Sequence, residues 1–208
     1  HGGQARVLAL QESQAIMYIP GHGIRQFFFE HVINPQSTQH EVYSKAAKPM
    51  VYGFLNGLNS CLFTYGQTGS GKTYTVFGPP GVLSKSFSSK LPNSAGVVPR
   101  ACQDVFQEAD NLISYGVKVR IQAQYVQIYD EKITDLVSGN DVTLLARVDS
   151  LECVLKDALV TDVATLDDVI LLLQQGQERK KVAATACNDH SSRAHTVFIL
   201  RASQGKNK

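Results

Sequence analysis

The sequence predicts an α/β fold, with a central, mostly parallel or mixed sheet carrying helices on both faces. Three observations lead there. Apolar runs of strand length alternate with segments of helical periodicity along most of the chain. With 208 residues, 43% of them hydrophobic and 18% charged, the chain is long enough to bury a sizeable core and too apolar for a disordered tail. Finally, Gly66-Gln67-Thr68-Gly69-Ser70-Gly71-Lys72-Thr73 fits the pattern G-x-x-x-x-G-K-[ST] without a mismatch, between an apolar run and a helical one. In an open α/β sheet such a loop sits at the carboxyl ends of the strands.

Taken in order, the runs Val7-Leu8-Ala9-Leu10 and Ile16-Met17-Tyr18-Ile19 are of strand length, and Pro20-Gly21-His22-Gly23 is a turn cluster. Residues 24–32, with Phe27-Phe28-Phe29, read as a mostly buried strand. Thr38 stands three residues ahead of Glu41, the spacing of a capping box, and Val42, Ala46, Met50, Phe54 and Leu58 follow at spacing four. One amphipathic helix ending at Gly57 is expected, kinked at Pro49. Residues 61–65 read as a buried strand entering the glycine loop, and Tyr74 to Phe77 continue a helix beyond it. The stretch 78–96 is rich in Gly, Pro and Ser and is expected to be a long mobile surface loop. Pro99 opens a helix with Cys102, Val105, Phe106, Ala109 and Leu112 on one side, and 117–125 alternates as a strand. Thr165 caps a helix over 166–175 closed by Gly176, and 196–200 is a final strand.

The glycine loop carries a specific chemistry. Gly66, Gly69 and Gly71 have no Cβ, so the backbone can wrap its N–H groups around a polyphosphate. Lys72 offers a flexible ammonium to the outer phosphates and Thr73 a hydroxyl to Mg²⁺, beside the positive end of a helix. A second segment, Asn188-Asp189-His190-Ser191-Ser192-Arg193-Ala194-His195, gathers hydroxyls, an arginine and imidazoles just before a strand. Its hydroxyls could hold an attacking water or ligate Mg²⁺, and its arginine could pair with a mobile acidic partner.

Composition limits the partners. A net charge of +2 is too small to argue for nucleic acid or a membrane surface, and neither is expected. No apolar run reaches the 18 residues or more of a membrane span, and His1-Gly2-Gly3-Gln4 has no signal-peptide pattern, so an intracellular protein is expected. The cysteines Cys61, Cys102, Cys153 and Cys187 lie far apart without metal-ligand spacing and read as reduced, mostly buried thiols.

Taken together, these segments resemble the kinesin motor family. The run from Leu58-Asn59-Ser60-Cys61 through Tyr65 to Thr75 looks like that family's P-loop with its flanks, and Asn188-x-x-Ser191-Ser192-Arg193-x-His195 looks like its first switch. Further matches are Ser37-Thr38-Gln39 with Val42-Tyr43, Val98-Pro99-Arg100, and Tyr125-x-x-Ile128-Tyr129-x-Glu131-Lys132-Ile133-x-Asp135-Leu136. They occur in the family's order and span roughly 27–200. The resemblance implies a P-loop NTPase-type kinesin fold, here incomplete, in a cytoplasmic, microtubule-associated ATPase.

Residue by residue, it implies that Gly66, Gln67, Thr68, Gly69, Ser70, Gly71, Lys72 and Thr73 bind ATP, with Tyr74 packing against adenine. Thr73 and Ser192 would hold Mg²⁺, while Asn188, Ser191, Ser192 and Arg193 would sense the γ-phosphate. Arg147 and Lys156 fall in the loop the family uses on the microtubule, whereas Arg179-Lys180-Lys181 reads as a solvated helix face. The sequence also departs from the family. Ala194 stands where a serine is usual, no D-x-x-G-x-E second switch occurs, and the family's first strand is not seen. Residues 1–208 are therefore expected to be part of a motor domain that turns ATP over poorly alone, with any dimerisation through segments outside it. The alternative is a nucleotide- or microtubule-binding module without significant turnover.

Overall fold

The computed structural model describes residues 4–84, 91–146, 153–186 and 194–206. The chain divides into two compact units, His1–Phe63 and Thr64–Lys208.

The first unit opens with an antiparallel meander of β1 (Arg6–Leu10), β2 (Gln14–Ile19) and β3 (Gly23–Phe28). The turn read at Pro20 to Gly23 joins β2 to β3, with the His22 N–H donating to the Ile19 carbonyl at 3.0 Å. The mostly buried strand expected over 24–32 is instead shorter and largely exposed, with Phe28 at 72%. The reason is that β3 is an edge of a three-stranded sheet, where the consecutive Phe27 and Phe28 must present rings to opposite faces, and Phe29 lies past its end.

Next, α1 (Gln39–Ala46) begins on the expected capping box. The Glu41 N–H donates to Thr38 Oγ1 at 3.2 Å and the Thr38 N–H to Glu41 Oε2 at 2.6 Å, which holds the Glu41 carboxyl below its usual range. The single kinked helix expected here is in fact two. The break falls at Ala47, and α2 (Lys48–Leu55) carries Pro49 in its first turn, where a missing N–H costs no helical bond.

The strand expected over 61–65 does not form. Residues 59–65 take no regular structure, and Phe63 and Tyr65 are 82% and 95% exposed. A strand needs a neighbour to complete its hydrogen bonds, and among the described residues none pairs with this run.

The second unit contains α3 (Lys72–Phe77), a 3₁₀ turn at Val82–Ser84, α4 (Val97–Ser114) and a sheet built on the long strand β4 (Val117–Tyr129). Around β4 lie β5 (Lys132–Asp135), β6 (Asp141–Ala146), β7 (Cys153–Lys156), β8 (Thr161–Asp162) and β9 (His195–Lys206), in the order β7-β6-β5-β4-β8 with β9 along the other edge of β4. Among the described residues every pairing in this sheet is antiparallel, where a mostly parallel or mixed sheet was expected. The connections explain this. Two residues join β4 to β5, and such short links can only reverse the chain, whereas parallel neighbours need a crossover. A crossover helix, α5 (Leu166–Ala186), runs from β8 to β9 on opposite sides of β4.

The core lies where α4 and α5 meet β4. The predicted face of α4 buries Cys102, Val105, Phe106 and Ala109 against Ile121, Ala123 and Tyr125, and α5 adds Val169, Ile170, Leu172 and Leu173. Burial pushes the Cys102 thiol and the Tyr125 phenol up to about 12, the latter opposed by its hydrogen bond with Thr196. The other described cysteines, Cys61 and Cys153, are free and exposed rather than buried, and Cys187 lies outside the described residues.

Gly176 does not close α5. The helix passes through it, because a side chain there would run into Tyr125 and Leu136. Within 78–96, Val82, Leu83, Leu91 and Ala95 are buried, so both ends of that expected surface loop are anchored; residues 85–90 lie outside the described set. Among the described residues no helix is long and apolar enough to cross a membrane.

Candidate functional site

The glycine loop belongs wholly to the second unit. Gly66, Gly69 and Gly71 hold φ of 154°, 81° and 91°, a region that strains any residue with a side chain. A methyl on Gly66 would also stand 2.5 Å from Ser70 Oγ. The Ser70 N–H donates to the Gln67 carbonyl at 3.2 Å, closing a turn. Lys72 then folds back over it, its Nζ donating to the carbonyls of Gly66 at 2.7 Å and Gln67 at 2.8 Å. An ammonium carries three donors. Two of them staple the loop, a role the motif alone did not reveal, and they hold a positive charge against a loop whose glycines take φ values that suit glycine alone.

What holds this loop in place is α3 and its attachment to α4. The helix starts on Gly71, with the Thr75 N–H donating to the Gly71 carbonyl at 2.8 Å. Its far end is clamped, because the Gly96 N–H donates to the Phe77 carbonyl at 3.1 Å and the two backbones touch. A Cβ on Gly78 would lie 2.6 Å from the Ser94 carbonyl oxygen, and one on Gly96 2.6 Å from the Val76 carbonyl carbon. Arg100 fastens the approach by donating to the carbonyls of Ala95 at 2.9 Å and Asn93 at 2.7 Å. Phe77 rests edge-on against Tyr125, 6.4 Å between ring centres, and so ties the loop's helix to the core. Sequence reasoning missed this clamp, whose signal was a glycine at each end of the Pro- and Ser-rich stretch.

The other candidate residues divide into two groups. Thr73 and Tyr74 lie in the first turn of α3, both exposed, Tyr74 at 53%. Lys156 is exposed on β7, opposite Thr143 of β6. Asn188, Ser191, Ser192, Arg193 and Arg147 lie outside the described residues, and only the flanks of the 188–193 segment are seen: α5 ends at Ala186 and His195 opens β9 opposite Ile128.

Arg179 and Lys181 are exposed on α5, as expected of a solvated helix face, but Arg179 also holds partners across the fold. Its guanidinium donates to the Leu136 carbonyl at 3.1 Å and the Val137 carbonyl at 2.9 Å. Lys180 beside it is partly desolvated, which lowers its pKa. Chemically, the loop offers a charged ammonium and a flexible glycine backbone to an anion. The exposed Thr73 hydroxyl is an oxygen donor of the kind a hard divalent cation takes.

Comparison with known proteins agrees with this arrangement. The family described as "Kinesin motor domain" matches residues 12–208. Over 201 residues the chain is 36% identical to Kinesin-like protein KIN-12C of Arabidopsis thaliana, which covers 94% of this chain and 10% of that one. Over 180 residues it is 36% identical to Kinesin-like protein Klp61F of Drosophila melanogaster, covering 85% and 16% respectively. The solved structure titled "Structure of a fast kinesin: Implications for ATPase mechanism and interactions with microtubules" superposes with a TM-score of 0.81 at 28% identity, over 98% of this chain and 55% of that one. The chain thus spans 10% and 16% of these two curated relatives' length and about half of the solved structure's. With the family match running across nearly all of it and the fold superposing on a solved kinesin, the chain belongs to the kinesin motor domain family.

Proposed function

We propose that this chain is the nucleotide-holding part of an ATP-driven microtubule motor that works on the cytoplasmic cytoskeleton. The observation that carries the reading is the Lys72 ammonium, held by two carbonyls of the glycine loop. In that position its third N–H serves the β- and γ-phosphates of ATP, and the backbone of residues 66–71 wraps the rest of the chain of phosphates. Thr73 holds Mg²⁺ together with Ser192, and the ion, when bound, neutralises charge developing on the phosphate oxygens. Exposed Tyr74 packs against the adenine ring.

Asn188, Ser191, Ser192 and Arg193 sense the terminal phosphate. Arg147 and Lys156 face the microtubule, whose surface the β6–β7 hairpin approaches. Nucleotide-dependent ordering of the sensing segment changes filament affinity, the general device of loops ordered by a γ-phosphate. Steady-state ATPase of the full-length protein, with and without microtubules, tests the reading. Stimulation by microtubules is expected, and a rate unchanged by them overturns it.

A second reading has one feature in its favour. Ala194 removes a hydroxyl next to the sensing segment, which suits a module that binds nucleotide or filament without significant turnover. Saturable ATP binding with no phosphate release would establish it instead.

A further inference from the structure

Between Asp135 and Leu159 the chain forms β6 and β7, the outer strands of the sheet, with β6 pairing to β5 at Asp141 and Val142 before running on with β7. Both ends of this segment converge on one carboxylate. Asp135 is 1% exposed, and its Oδ1 accepts from the N–H groups of Val137 at 2.7 Å and Ser138 at 3.4 Å. Its Oδ2 accepts from Ser138 Oγ at 3.0 Å and, across 24 residues of sequence, from the Leu159 N–H at 2.7 Å. The backbone reinforces this root, with the Asp135 N–H on the Asn140 carbonyl at 2.9 Å and the Leu136 N–H on the Tyr125 carbonyl of β4 at 2.8 Å.

The same turn is gripped from α5. Arg179 donates to the carbonyls of Leu136 and Val137, and its guanidinium lies over Gly139, where a Cβ would stand 3.0 Å from its Cζ. Gly139 has a φ of 85°, so glycine is required there on both counts. Farther out, the hairpin exposes Leu144, Leu145 and Val154 together with Lys156. Beyond Val142 the described residues of β6 and β7 pair with each other alone, and such a two-stranded ribbon is marginal by itself, so its direction is set at its root.

We infer that Asp135 and Arg179 are positioning residues for filament binding: they clasp the root of the β6–β7 hairpin and fix the angle at which Lys156 is presented. This rests on the reading of Lys156 as a microtubule contact. The clasp needs a carboxylate specifically. An asparagine has the same shape, but its amide is a donor and must face either the Val137 or the Leu159 N–H, so one part-buried donor loses its acceptor.

The test uses the full-length protein carrying Asp135→Asn, with Arg179→Ala and Arg179→Lys as independent variants on the exposed side of the clasp. Two quantities are read: amide hydrogen exchange over 136–146 and 153–160, and the microtubule concentration giving half-maximal ATPase. Loss of a part-buried charged hydrogen bond is expected to speed exchange of these amides roughly tenfold or more. The half-maximal microtubule concentration should rise by a similar factor, while ATP affinity and kcat at saturating microtubules stay at wild-type values. Arg179→Lys, which keeps the charge and one donor, should fall between wild type and Arg179→Ala. General unfolding would lower ATP affinity as well, which separates it from lost positioning.

Wild-type exchange and wild-type microtubule dependence in these variants overturn the inference. Faster exchange with unchanged microtubule dependence also overturns it, because the clasp would then not set presentation. A wild-type protein that ignores microtubules overturns the filament reading beneath the inference, and the exchange data then still show whether the clasp exists.

Discussion

Replacing Gly176 by alanine should destabilise this protein, against the usual effect of removing a glycine from a helix interior. In an exposed helix the change stabilises by about 1 kcal/mol, since glycine loses more backbone freedom on folding. Here the new methyl would lie 2.5 Å from Tyr125 Cε1 and 3.2 Å from Leu136 Cβ, far inside ordinary contact. Tyr125 has nowhere to retreat, being 1% exposed and set edge-on between Phe77 and Phe198 at 6.4 and 6.2 Å. Overpacking of a closed core costs about 1–3 kcal/mol, and contacts this short belong at the upper end. The net loss should therefore be about 1–2 kcal/mol, the difference of these two terms. Urea unfolding measures it as a lower midpoint at constant slope. In a Tyr125→Leu background, where the ring is gone, the same substitution should become neutral or stabilising. A Gly176→Ala protein that is more stable than wild type, or equally destabilised in both backgrounds, would refute the packing argument.

Two further outcomes follow from local geometry. The two-residue turn between β4 and β5 holds Asp130 at φ 48° and Glu131 at φ 64°, so Glu131→Gly should stabilise by about 0.5–1 kcal/mol in thermal unfolding, by relieving left-handed strain. The first turn of α5 is capped reciprocally: the Asp168 N–H donates to Thr165 Oγ1 at 3.2 Å, and Asp168 Oδ2 accepts from the N–H groups of Ala164 and Thr165, both at 2.9 Å. These bonds, the one from Ala164 first, lower the Asp168 pKa from 3.8. The folded value is thus below the unfolded one, so the stabilisation is complete above about pH 4 and disappears as pH falls through the lowered folded value. Because the carboxylate is exposed, Asp168→Asn should cost only about 0.5 kcal/mol at neutral pH, and denaturant unfolding at pH 6 and pH 3 should show that difference shrinking in acid.

Local signals were the legible part of this fold. The Thr38 and Glu41 capping box, the buried stripe of α4 and the alternation of β4 each depend on residues a few positions apart, and each forms where the sequence places it. Most of the misreadings concern distant partners, whereas the helix break at Ala47 is a local one. Gly176 has the composition of a helix stop, yet it is there because Tyr125 needs the space. Arg179 looks like one of three solvated cations, yet its carbonyl partners lie 42 and 43 residues away. The apolar run at 61–65 has strand composition, but composition supplies no neighbouring strand. The site divides in the same way. The glycine loop is a contiguous motif and was readable directly, whereas the Lys72 staple and the contact between Gly78 and Gly96 exist only once the chain has folded.

The claim on which the functional account stands is that the glycine loop, through Lys72, takes hold of ATP. Equilibrium titration of the full-length protein with a fluorescent ATP analogue, competed by unlabelled ATP, tests it most directly when wild type and Lys72→Ala are compared. The account predicts saturable, competable binding by the wild type and at least a roughly tenfold loss in the variant, with the far-ultraviolet circular dichroism of the two proteins superimposable. Equal affinity in the two proteins would contradict it.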